Sequence, residues 1–97
     1  MDAFIGKILS LSAIAEDKLT DSDRAKGHKV KAIVERELEH VIDGKKFKEV
    51  LHYAVKSAEV IPVAMIGQRV FIEGVVWDFE GKRGVSSATL TKLGDLK

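Results

Sequence analysis

The 97-residue chain has no cysteine. This excludes disulfides, thiolate metal ligands and a cysteine nucleophile, and it fits a reducing compartment. Asparagine is also missing and Gln68 is the only glutamine. Such poverty in amides occurs in heat-adapted proteins and equally in chains of biased genomic composition. Proline occurs once, at Pro62, and aromatic residues make up 6%. An excess of one charge is lacking too. The formal net charge is +1, so no global field draws nucleic acid or an anionic membrane. Residues 1–43 carry seven Lys/Arg against nine Asp/Glu, and residues 44–97 nine against six, a mild split of −2 and +3. No long apolar run is present. The segment "MDAFIGKILSLSAIAEDK" has Asp2 where an export signal carries bases, and Lys7 and serines break its apolar stretch. A cytoplasmic protein is expected.

What is present is 45% hydrophobic and 32% charged residues, the balance of an ordinary globular chain of one domain. In the first segment Phe4, Ile5, Ile8, Leu9 and Leu11 share a broad helical side, which predicts a helix over 2–16. Thr20, Asp21 and Ser22 are candidate N-caps for the next. Val30, Ile33, Val34, Leu38, Val41 and Ile42 then recur at helical spacing, predicting a helix over 22–43 with Gly44 as its C′ residue. Phe47, Val50, Leu51, Ala54, Val55 and Ala58 predict a third over 46–59. The period changes after that. Pro62 confines 60–66 to an edge strand or irregular structure, and Gly67-Gln68 suits a hairpin turn. Strands are expected over 69–79 and 85–93. The expected architecture is α+β: three helices followed by a small two- or three-stranded antiparallel sheet.

Chemistry has few footholds. Glu-x-x-His occurs twice, at Glu37/His40 and Glu49/His52. On helices these four groups point apart, and the further carboxylate helices of a two-metal bundle are missing. No metal or cofactor is expected. Glu37 falls within an apolar stripe, so its carboxylate must reach water, a partner or an interface. No serine lies in a nucleophile elbow, no histidine is tied to a nucleophile, and Gly81 and Gly84 lack the strand–loop–helix context of a phosphate loop. A non-enzymatic protein is expected.

The strand 69–79 is unusual in being apolar on both faces. Phe71, Val75, Trp77 and Phe79 lie on one, and Val70, Ile72 and Val76 on the other. The second face must curl over the core through a bulge at Gly74, be covered by the first helix, or meet another chain. The leading expectation is a small regulatory or interaction protein. It would bind a protein partner or itself, a dimer being favoured, through Phe71, Val75, Trp77 and Phe79 with Lys82 and Arg83 as a polar rim. A housekeeping regulator and a virus-encoded inhibitor both fit. The order of three helices and a hairpin also resembles a winged helix-turn-helix. That resemblance implies DNA binding by Lys46, Lys48, His52 and Lys56 on the third helix and by Lys82 and Arg83 at the wing. Lastly, "MIGQRVFIEGVVWDFEGKRG" resembles strands of oligonucleotide-binding barrels, whose exposed aromatics stack on bases. With helices assigned to the first 59 residues, too few strands remain to close a five-stranded barrel, which places this reading last.

Overall fold

In the computed structural model, which describes residues 2–59 and 61–95, side chains alternate in and out with period two rather than 3.6. Strand β1 (Asp2–Ala13) buries Phe4, Gly6 and Ile8. Strand β2 (Val30–Ile42) buries Ala32 and Val34, and β3 (Lys45–Ser57) buries Tyr53, Val55 and Ser57. The three helices expected over 2–16, 22–43 and 46–59 are absent, and the chain is all-β rather than α+β. The only α-helix among the described residues is α1 (Asp21–Lys26). It starts at Thr20, whose hydroxyl accepts from the Asp23 N–H at 3.0 Å while Asp23 accepts from the Thr20 N–H. It ends at Gly27 with φ 70°.

The physical reason lies at Asp43-Gly44. Their φ values of 51° and 77° make a two-residue hairpin turn that joins Ile42 to Lys45, not the end of one helix and the start of another. Once that turn forms, Val30, Ala32 and Val34 share a strand face with Ser57, Val55 and Tyr53 opposite. Their helical spacing then has no role.

The strand expected over 69–79 is β4 (Arg69–Phe79), and its partner β5 (Lys82–Lys92) begins three residues earlier than expected. Within 60–66, Val60 lies outside the described residues and 63–65 form a 3-10 turn rather than a strand. Gly67 does turn the chain, with φ 86°. Its N–H donates to the Ile8 carbonyl at 2.7 Å, and the Ile8 N–H donates to the Gln68 carbonyl at 3.0 Å.

The strands close into a barrel in the order β1-β2-β3-β5-β4. β1 serves two neighbours: residues 2–7 pair with β4, residues 7–13 pair with β2, and an irregularity falls between Ile8 and Ser10. The closing seam between β3 and β5 is parallel and holds two register pairs, Ala54↔Gly84 and Val55↔Val85. The β4–β5 ladder slips at Gly74, where Ser87 has φ 54°. Only glycine fits there, because a Cβ would lie 2.6 Å from Val85 Cγ1 and 2.8 Å from the Ser86 carbonyl. The bulge switches the facing of β5, so that Leu90 and Val85, five residues apart, both look inward opposite Ile72 and Val76. The core is Phe4, Ile8, Ala32, Val34, Tyr53, Val55, Met65, Val70, Ile72 and Val85.

One part leaves the barrel. Pairing of β2 with β1 stops at Glu35, and β3 meets β5 only at Ala54 and Val55. Residues 36–42 and 45–52 therefore continue as a two-stranded ribbon, and residues 41–50 are all exposed. Because β3 and β5 run parallel, the ribbon tip and the β4–β5 turn at Glu80-Gly81 project from the same end.

Candidate functional site

Strand parity builds the site. On β3 the odd residues 53, 55 and 57 fill the barrel, so Lys46, Lys48, Val50, His52, Ala54 and Lys56 point outward. On β4 the residues Val70, Ile72 and Gly74 point inward, so Phe71, Val75, Trp77 and Phe79 point outward. Within β4–β5, Trp77 faces Gly84 and Phe79 faces Lys82, while the parallel seam sets Gly84 beside Ala54. The indole of Trp77 lies over the bare Gly84 backbone. A Cβ there would lie 2.8 Å from the indole Nε1 and closer still to its ring carbons. The outer face of β3, β5 and β4 thus joins the aromatic residues of the expected protein-binding set to five of the six cations of the expected DNA-binding set.

Among the described residues nothing covers the distal half of this face. Trp77 is 37% exposed, Val75 56% and Phe79 68%, while Phe71 is half-buried. Arg83 is the cation left out. It takes the opposite face of the hairpin, where its Nε lies 3.5 Å from an Asp78 carboxylate oxygen. The winged-helix reading loses its recognition helix, since 46–59 is strand and loop. Lys46, Lys48, His52 and Lys56 still share a face because all four numbers are even.

The cations differ in availability. Lys46 lies 3.9 Å from Glu39, Lys48 3.9 Å from Glu37, and His52 3.6 Å from Glu35, all across the ribbon. Glu37 is an exposed carboxylate in a surface pair. Lys56 is held by Asp23, both of whose carboxylate oxygens accept from its Nζ at 3.0 Å. Lys26, Lys31 and Lys82 have no ion pair among the described residues. Neither Lys26 nor Lys31 belongs to the binding sets expected from sequence. The capping box that places α1 was visible, but its docking onto β3 was not.

Asp23 is the fastener of that dock. It is buried, and His28 Nδ1 donates to it at 3.0 Å. The His28 ring, the Thr20 backbone N–H and the Lys56 ammonium hold its carboxyl well below the usual carboxylate range. Between α1 and the barrel wall this leaves a cleft of about 180 Å³, lined by Thr20, Ser22, Lys26, Lys56, Trp77 and Ser86 among others. On the ribbon, His40 Nε2 and Glu49 Oε1 meet at 3.2 Å, and His40 stacks on Phe47 with centroids 5.2 Å apart. No three His, Asp or Glu side chains among the described residues converge as metal ligands.

A closed five-stranded barrel in which β1 is shared and β3 runs parallel to β5 has the strand order of the oligonucleotide- and oligosaccharide-binding barrel. The cleft lies on the outer β3 face beside the β1–β2 connection. Comparison with protein-family models, curated proteins and solved structures finds no match. Fold order alone assigns no ligand. Among the described residues no helix is long and apolar enough to cross a membrane.

Proposed function

We propose that the outer face of β3, β5 and β4 binds single-stranded nucleic acid, and that the protein acts by binding rather than by catalysis. The observation that carries this is the exposed pair Trp77 and Phe79 on alternate positions of one strand, beside lysines on the same face. Two rings about 7 Å apart along a strand can each stack on an unpaired base. Lys82, Lys26 and Lys31 are placed for phosphates. Lys46 and Lys48 can exchange their long surface pairs for phosphate oxygens at little cost. Paired bases offer no face to such rings, so a single strand is favoured over a duplex.

Trp77 is the only tryptophan, so its fluorescence reports on the site directly. Titration with oligo(dT) at low salt should quench it. Phe79→Ala should cost about 1–3 kcal/mol of affinity, the worth of one stacked base. With three phosphates neutralised, log K should fall with log salt at a slope of about −2. Absence of quenching at low salt, or tighter binding of duplex, refutes the proposal.

A second reading has its own observation. Val75 extends the strip with an exposed aliphatic side chain, which stacking does not require and a protein partner or second copy would use. This reading expects association through Val75, Trp77 and Phe79 that is nearly insensitive to salt.

A further inference from the structure

We infer that the free edge of β3 on the ribbon is a self-association site, pairing antiparallel with the same edge of a second copy about Phe47. A two-stranded ribbon alone in water is marginal, and from Lys45 to Glu49 the second edge of β3 has no ladder partner among the described residues. The turn makes Ile42 and Lys45 the first hydrogen-bonded pair. Alternation then gives the backbone groups of Lys45, Phe47 and Glu49 to β2, and those of Lys46 and Lys48 to the open edge.

A two-fold axis at Phe47 sets Lys46 opposite Lys48 of the second copy as a hydrogen-bonded pair, twice over. The two Phe47 rings then form the closer, non-hydrogen-bonded pair. The side chains select this register. With Phe47 on the axis, Lys45 faces Glu49 of the second copy at both ends of one face. Lys45 has no ion pair among the described residues, and Glu49, whose Oε1 lies 3.2 Å from His40 Nε2, has its second oxygen left for it. An axis at Lys46 or at Lys48 sets a lysine against itself and forms neither pair. On the other face Lys46 meets Lys48 of the second copy, a repulsion that Glu39 and Glu37, each 3.9 Å from its own lysine, offset. On the free edge of β2 no register forms an ion pair between copies: an axis at Glu39 opposes two carboxylates, one at Leu38 opposes Glu37 to Glu39, and one at His40 sets Leu38 against Ile42 and Glu39 against Val41. The ladder stops at Glu49, because Glu49 faces Lys45 of the second copy, the first residue of β3 after the turn.

This is a second-copy partner on a surface separate from Trp77 and Phe79, and it requires no nucleic acid. Sedimentation velocity on the nucleic-acid-free full chain, from about 10 µM to 1 mM, covers the range of a small interface. The expected result is a monomer–dimer equilibrium. Lys45→Glu and Glu49→Lys should each leave the protein folded and monomeric, and the double variant K45E/E49K should regain the dimer. Amide exchange at Lys46 and Lys48 should slow as concentration rises, while Lys45, Phe47 and Glu49 stay constant. A monomer at 1 mM overturns the inference. So does a dimer that either single variant leaves intact, and so does a double variant that stays monomeric.

Discussion

Replacing Gly84 with alanine tests the aromatic face without touching an aromatic residue. The added methyl group would occupy the space now filled by the indole of Trp77. Gly84 lies in a strand outside the left-handed region, so the backbone accepts alanine and the indole must move. A tryptophan buries roughly 150–250 Å². With 37% of Trp77 exposed, about 100–150 Å² is covered, worth on the order of 3 kcal/mol at ~25 cal/mol per Å². Tilting the ring off the seam forfeits about half of that, or 1–2 kcal/mol. For a chain of this size the melting temperature should fall by about 5–15 °C. Thermal melts and Trp77 emission measure this together, and the emission maximum should move to longer wavelength. Gly81→Ala is the control. Its φ of 78° brings a backbone penalty of about 1–2 kcal/mol, but nothing lies within 4 Å of the new methyl group. Emission should therefore stay unchanged. If Gly84→Ala alters neither melting nor emission, the indole does not rest on Gly84 and the packing described above is wrong.

The docking of α1 should fail in acid. Asp23 has a carboxyl held low in the folded state, so its stabilisation is complete above the unfolded value of about 4 and is lost as pH falls below it. Urea midpoints of the native protein should drop more steeply between pH 5 and about pH 2 than those of Asp23→Asn, which is weaker at neutral pH and flatter in acid. In the core, Ile72→Ala should cost about 2–5 kcal/mol because Ile72 is fully buried. Ile42→Ala, on the exposed ribbon, should cost about 0.5 kcal/mol or less by the same urea assay.

How legible the molecule was depends on where period two and period 3.6 can be told apart. In β4 the run Val70–Phe79 is apolar on both faces, and no helical stripe competes with a strand. In β2, Val30, Val34 and Leu38 satisfy both readings, because a four-residue step is also two strand repeats. The deciding signal was Asp43-Gly44, a hairpin dipeptide that also resembles a helix end. Read as a helix end, it turned two strands into two helices and hid the barrel. The site was half legible. Trp77 and Phe79 are conspicuous in any reading, and the even-numbered cations 46, 48, 52 and 56 lie together on a strand more fully than on a helix. Lys26, Lys31 and Gly84 were not legible as site residues. Their roles arise from barrel closure and from the Asp23 dock, which join segments about 30 residues apart in sequence.

The β3–β5 seam gives the barrel a weak meridian. It is closed by two register pairs, whereas thirteen pairs join β2 to β3. Sub-global opening should therefore begin there, parting Val55 from Val85 while both hairpins persist. The Trp77–Gly84–Ala54 row crosses that same line. On the proposed function, a single strand of nucleic acid laid from Phe79 and Trp77 to Lys31 would bridge the two lips of the seam. If the proposed binding holds, such a strand would clasp the seam, so that occupancy and closure should rise together.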